Sequence, residues 1–207
     1  MKRLATAAAA AAAAASLLLL SACNAPETET PSAEAPATPE APAADPNALT
    51  AEGFGPLRIG MTKAEVEAAM GPDSDPASVG GAEPEICDQW RPERAPDGLL
   101  VMIQDGVLTR ISIADPATLK TDRGFGVGDT AAAIKAAYGA DAVSQPHKYS
   151  PAPAEDIFVW ASGGPAAPDA YVQDEAARGV RYEINGEGRV GIVHVGGPSI
   201  QLVEGCS

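Results

Sequence analysis

The sequence predicts an α+β fold of two tandem repeats, each a helix packed on an antiparallel β-meander, behind an export leader and a disordered tether. Three observations lead there. Residues 59–71, "IGMTKAEVEAAMG", return 68 positions later as "VGDTAAAIKAAYG" at 127–139. Each copy is followed by short apolar or alternating runs bounded by turn residues, the pattern of strands in a meander. The first 50 residues carry a basic start, an apolar run and a Pro/Ala/Glu-rich stretch, none of which suits a packed core.

Lys2 and Arg3 open the leader, and Leu4 to Leu20 is uncharged, with Ala7–Ala15 and Leu17–Leu20 dominating. That is a secretory signal pattern over residues 1–22. An alanine-rich run with no charged stop-transfer flank is a poor membrane span. Residues 20–23, "LSAC", resemble the lipobox of bacterial lipoproteins, an aliphatic residue and two small ones before a cysteine. The resemblance implies cleavage before Cys23, which then carries the lipid and becomes the mature N-terminus. Two or more acyl chains are what stable anchoring requires. Asn24 rather than Asp follows the cysteine, and by the same resemblance this implies the outer membrane, facing the periplasm.

Residues 23–50 are the tether that this resemblance implies. The stretch 24–50 holds six prolines and no aromatic residue, so it cannot bury enough apolar surface to offset its ordering entropy. At about 3.1 Å per residue in polyproline II, it reaches roughly 80 Å from the lipid.

Removing the leader leaves 12 basic against 28 acidic residues, a net charge of −16. The tether takes five acids (Glu27, Glu29, Glu34, Glu40 and Asp45), so the folded part stands at −11. Nucleic-acid binding needs clustered Lys and Arg, and no such partner is expected. The same charge opposes docking onto anionic lipid headgroups, so membrane contact is expected through the N-terminal lipid alone. With Cys23 lipidated, Cys87 and Cys206 remain in an oxidising compartment, which predicts a disulfide tying the C-terminus to the first half. The two cysteines and the distant His147 and His194 have no metal-ligand spacing, and neither metal nor cofactor is expected.

The two copies explain each other. Gly60, Thr62, Ala64, Ala68, Ala69 and Gly71 match Gly128, Thr130, Ala132, Ala136, Ala137 and Gly139. Thr62 is an N-cap with Glu65 completing a capping box, Met61 and Val66 fit a hydrophobic staple, and Gly71-Pro72 stops the helix. In the second copy Ala133 replaces Glu65, so Asp129 or Thr130 caps alone. Strands are predicted at 85–90, 99–104 and 108–113, the last two joined by the hairpin signal Asp105-Gly106. In the second half they fall at 156–161, 180–184 and 189–195, with "NGEG" at 185–188 as a turn and a last short run at 199–205. The stretches 144–153, "SQPHKYSPAP", and 161–168, "ASGGPAAP", read as loops. Repeat one is thus assigned 51–120 and repeat two 121–207.

"IGMTKAEVEAAMGPD…W…LLVMIQDGVLTRISI" resembles the repeat of the SmpA/OmlA outer-membrane lipoproteins, through Gly60-Met61-Thr62, Val66, Gly71-Pro72, Trp90 and Asp105-Gly106. That family contains the small lipoprotein subunit of the β-barrel assembly machinery. Two units in tandem are similar to the architecture of the secreted β-lactamase-inhibitory proteins, which bind partners with a concave sheet face. The resemblance implies a lipid-anchored envelope protein that binds another protein, in assembly, quality control or inhibition.

Catalytic signals are sparse. "GFGVG" at 124–128 lacks the glycine spacing and following basic residue of a phosphate loop, and the repeat accounts for its glycines. His147 lies near Ser144 and Ser150, a conceivable serine–histidine pair, while His194 alternates within "VGIVHV" as a strand residue pairing across the sheet. The expectation is a non-catalytic protein, with Trp90, Arg91, Tyr149 and Trp160 as candidate protein-binding residues, since large amphipathic rings and arginine are enriched at interface hot spots. The competing expectation is a periplasmic small-ligand or cell-wall binder, or a hydrolase using His147.

Overall fold

The computed structural model describes residues 45–78, 80–167 and 170–206; the leader, Cys23 and most of the tether lie outside them. The tether ends earlier than residue 50. Leu49 is fully buried, its N–H donates to the Lys120 carbonyl at 2.9 Å, and it bridges Thr121 in parallel. A single leucine closing a Pro/Ala-rich stretch gives no periodic signal, so the burial was not legible locally.

A small ribbon comes first, β1 (Gly53–Phe54) with β2 (Leu57–Arg58). Helix α1 (Lys63–Met70) follows, then β3 (Cys87–Trp90), β4 (Leu99–Gln104) and β5 (Val107–Ala114). The second half runs α2 (Ala131–Tyr138), a 3-10 turn, β6 (Val143–Pro146), β7 (Glu155–Ser162), β8 (Arg178–Ile184) and β9 (Val190–Gly196). A second 3-10 turn, Pro198–Gln201, leads to the C-terminus.

These strands overturn the expected architecture of two helix-on-meander repeats. β3 to β9 form one seven-stranded antiparallel sheet in the order β3-β4-β5-β9-β8-β7-β6, and the described residues are mostly β, with two α-helices of eight residues each among them. The junction is β5 on β9, paired from Arg110↔Gly196 to Ala114↔Ile192. Two separate meanders would leave both of these strands as unpaired edges, a liability that pairing removes. The core is continuous as well, with Val66 and Met70 of α1 in the same cluster as Ala131 and Ile134 of α2. Helices this short do not hold themselves in water and depend on that packing.

The duplicated stretch does the same local job twice. Thr62 N–H donates to Glu65 Oε2 at 2.8 Å while Glu65 N–H donates to Thr62 Oγ1 at 3.3 Å, a complete capping box. Thr130 accepts from Ala133 N–H alone, at 3.2 Å. Ahead of each cap, a glycine with positive φ (Gly60 +94°, Gly128 +85°) turns the chain so that its N–H meets a strand carbonyl, Leu108 in one case and Val190 in the other. Each helix start is thereby pinned beside a hairpin. The first hairpin has positive φ at both Asp105 and Gly106, as a type I′ turn requires.

Candidate functional site

Strand alternation gives the sheet two unlike faces. On β5, Ile111 and Ile113 enter the core while Arg110 and Ser112 point the other way; β8 does the same with Val180, Tyr182 and Ile184 against Arg181 and Glu183. His194 on β9 and Asp156 on β7 join the second face. The register puts Ser112 opposite His194, His194 opposite Arg181, and Asp156 opposite Glu183. A face of this composition is ordinarily solvated, yet Arg110, Ser112, Asp156, Arg181 and His194 are each at most 6 % exposed.

The C-terminal segment 197–206 lies across this face and is bonded by Arg110 and Arg181. Arg110 Nη1 donates to the carbonyls of Ser199 (3.1 Å) and Leu202 (2.9 Å), and Arg181 Nη1 donates to those of Ile200 (3.2 Å) and Leu202 (3.3 Å). Ser199 Oγ donates to Thr109 O at 2.9 Å, and Lys148 pairs with Glu204 at 3.1 Å. Cys87 and Cys206 stand as the expected disulfide, Cα atoms 5.3 Å apart, at the end of this strap. The strap's carbonyls need donors once buried, and the two guanidiniums provide them.

Under the strap the charges are organised around Arg181. Asp156 lies 2.9 Å from it and Glu183 3.2 Å. Burial pushes Asp156 up, against the pull of Arg181. The His194 contact, ahead of the Arg181 charge, holds Glu183 down to about 2 in spite of its burial. That His194 contact is long: Nε2 is 3.5 Å from Glu183 Oε2 and has no hydrogen-bond partner, so it acts through charge and dipole. Burial, foremost, brings His194 down to about 3, so the ring is neutral. With Glu183 facing Nε2, the proton is favoured there, and Nδ1 accepts from the Ser112 hydroxyl at 2.7 Å.

Ser112, His194 and Glu183 thus stand in the order of a nucleophile, base and acid. The arrangement is poorly matched to catalysis, because a general base works best near the operating pH and His194 lies several units below it. The Ser112 and His194 strands also spend their backbone groups on the β5–β9 ladder rather than on an oxyanion.

A cleft of about 460 Å³ opens beside this network. Gln89, Arg110, Ser112 and His194 line its polar side, Leu100, Ile192 and Val203 its apolar side, and Arg91 its rim. A second cleft, of about 390 Å³, lies by Tyr171 and includes Arg178, which pairs with Glu52 at 3.4 Å.

The candidates from the sequence scatter around this site. Trp90 sits opposite Val101 in the core, 1 % exposed with Lys63 Nζ 4.8 Å over its ring, so it packs and presents no binding surface. Arg91 is exposed and donates to Ser78 Oγ at 3.1 Å. Tyr149 is 61 % exposed, and Trp160 is half-buried on β7 against Gly179. His147 Nδ1 accepts from the N–H groups of Tyr149 and Ser150, both at 3.1 Å, which leaves Nε2–H toward Glu183 Oε1 at 3.4 Å. It therefore has no hydroxyl of Ser144 or Ser150 to activate among these contacts; the close serine–histidine pair is Ser112–His194.

Arg110, Ser112, Asp156, Arg181 and Glu183 went unread in the sequence. For four of them the only local signal is a charged or polar residue at every second position of "RISI" and "VRYEI", which ordinarily marks a solvated face, while Asp156 in "EDIF" sits beside Glu155 and shows no alternation. Among the described residues no group of His, Cys, Asp and Glu is placed to hold a metal ion, and no helix is long and apolar enough to cross a membrane. Fold and site together define an antiparallel sheet protein with a charge network sealed under a C-terminal strap. No known family, curated protein or solved structure matches the chain.

Proposed function

We propose that this chain is a lipid-anchored bacterial envelope protein acting as a non-catalytic protein-binding module, whose partner docks on the strap side of the sheet. The observation that carries the reading is where the exposed apolar groups fall. The large hydrophobic residues exposed among the described ones are Ile86, Tyr149 and Tyr171, at 55 %, 61 % and 56 %. Each adjoins a residue that holds the strap: Ile86 precedes Cys87, Tyr149 follows Lys148, and Tyr171 precedes Val172, whose N–H donates to Gln201 Oε1 at 2.9 Å. Aromatic side chains ringed by polar groups are what interface anchors are made of. The neutral, deeply depressed His194 supports binding over catalysis, and "LSAC" at 20–23 supports the lipid anchor.

The test is in-cell crosslinking from a photoreactive residue at Tyr149, and separately at Tyr171, with Ala136 on the outer face of α2 as the control. The expected result is a discrete protein adduct of one mass from both tyrosine sites and none from Ala136. Absence of an adduct at both, or the same adduct from Ala136, overturns the proposal. Cys23→Ala is expected to move the protein from the membrane to the soluble fraction.

A further inference from the structure

The strap side holds two buried arginines with different electrostatic surroundings. Arg181, fully buried, has Asp156 and Glu183 within 3.2 Å. Arg110 is 3 % exposed, and among the described residues no carboxylate comes within 4.0 Å of it. Its partners are all neutral: Nη1 serves the two strap carbonyls, Nη2 donates to Gln89 Oε1 at 2.9 Å, and Nε has no partner. A guanidinium stays protonated, and a buried charge without a counter-ion is costly. The cost is visible here, for burial and then the Arg181 charge pull Arg110 down to about 10.

The carboxylates lining the cleft are committed elsewhere. Glu183 faces Arg181, His194 and His147, and Glu204 pairs with Lys148. Asp115 is exposed at the rim. Nε–H has no partner and Nη2 keeps one hydrogen beyond its Gln89 bond, neighbouring donors of the kind from which a guanidinium grips a carboxylate. The apolar wall of Leu100, Ile192 and Val203 faces whatever that carboxylate is attached to.

We propose that the cleft binds a monocarboxylate carried beside an apolar group, with the carboxylate as the counter-ion of Arg110. The proposal rests on the reading of the strap side as the binding face, and names what that face recognises. A single negative charge fits better than a phosphate dianion, because Glu183, Glu204 and Asp115 already surround the cleft. The volume, in the range of small-ligand sites, holds one or two residues of a peptide. Two sources offer this chemistry, a free small acid and the C-terminal residue of a polypeptide.

The full mature chain, ¹⁵N-labelled in detergent, is titrated with N-acetyl-leucine, N-acetyl-leucinamide, N-acetyl-Ala-Ala-Ala-Leu with a free carboxylate, and inorganic phosphate. The Arg110 Nε–H resonance is the readout. N-acetyl-leucine is expected to shift it saturably and the amide to leave it in place. Tighter binding of the peptide assigns the site to a polypeptide terminus; equal or tighter binding of N-acetyl-leucine assigns it to a free acid.

Arg110→Lys, which keeps the charge and loses the fork, is expected to weaken binding at least tenfold. Because Arg110 also holds the strap, Leu100→Glu is the second variant. Its carboxylate, on the same face as Arg110, fills the site in cis and is expected to abolish the shift in a folded protein. An equal shift from the amide, a larger one from phosphate, or none from any probe up to about 20 mM, far above micromolar affinity, overturns the proposal. Tyr149 and Tyr171 adducts that persist when no acid binds leave the binding face standing and remove the carboxylate.

Discussion

Removing the Cys87–Cys206 bond, by Cys87→Ser with Cys206→Ser, is the perturbation whose size the structure fixes best. The bond closes a loop of 119 residues. In the chain-entropy account a loop of that length restricts the unfolded chain by about 5 kcal/mol at 25 °C. The native state loses little in return. Arg110 and Arg181 still hold the carbonyls of Ser199, Ile200 and Leu202, and Ser199 still bonds Thr109. The strap is therefore expected to stay in place while the unfolded chain expands. For a domain of this size each kcal/mol moves Tm by roughly 2–4 °C, so a fall of about 10–20 °C is expected. Urea unfolding adds a second readout, because an expanded unfolded state raises the m-value along with lowering the midpoint. Reduction of the wild-type protein is expected to reproduce the double variant. A Tm within about 2 °C of wild type and an unchanged m-value would refute the reasoning. A large Tm loss with an unchanged m-value would place the effect in a released strap instead.

Four further predictions concern the network and the caps. Arg181→Met leaves the buried Asp156 and the half-buried Glu183 side by side without their cation and is expected to cost about 3–5 kcal/mol in urea unfolding. Arg110→Met, which strands only neutral acceptors, is expected to cost about 1–3 kcal/mol, and a larger loss there than at Arg181 would contradict the charge assignments. Acidification should destabilise the protein. His194 has a folded value of about 3 against 6.5, so the unfolded chain takes up the extra proton between them, and stability falls as pH drops through that window by up to about 1.4 kcal/mol per unit. Glu183, held at about 2 against 4.5, extends the loss from pH 4.5 downward, and the raised Asp156 opposes part of it. His194→Gln should flatten the profile between pH 6.5 and 4.5, and a flat wild-type profile there would sink the argument. Thr62→Ala is expected to cost about 1 kcal/mol and Thr130→Ala less, since only Thr62 has a reciprocal partner in Glu65; equal urea midpoints would count against it.

Features set by neighbouring residues were legible in the sequence. Thr62 with Glu65, the Asp105-Gly106 turn and most strand cores fall where local chemistry puts them. Features set by distant pairing were not. Nothing in "LTRISI" or "RVGIVHV" says that they lie side by side, and that one junction turns two expected meanders into a single sheet. The loop read in "SQPHKYSPAP" overlaps β6, which is the edge of the sheet, where its Pro146 is tolerated. The run 199–205 alternates like a strand, but Pro198 opens a 3-10 turn instead. The polar side of the sheet was illegible for the same reason as the junction. Arg110, Arg181 and His194 look solvated until a strap from the other end of the chain covers them.

The central claim is that the strap side of the sheet is the working face of an envelope-anchored binding protein. The most direct measurement is in-cell crosslinking from a photoreactive residue at Arg91, on the rim of the Arg110 cleft, in the full-length chain. The account predicts an adduct of the same mass as that formed from Tyr149. No adduct at Arg91, beside a discrete adduct from Ala136 on the helix face, would contradict it.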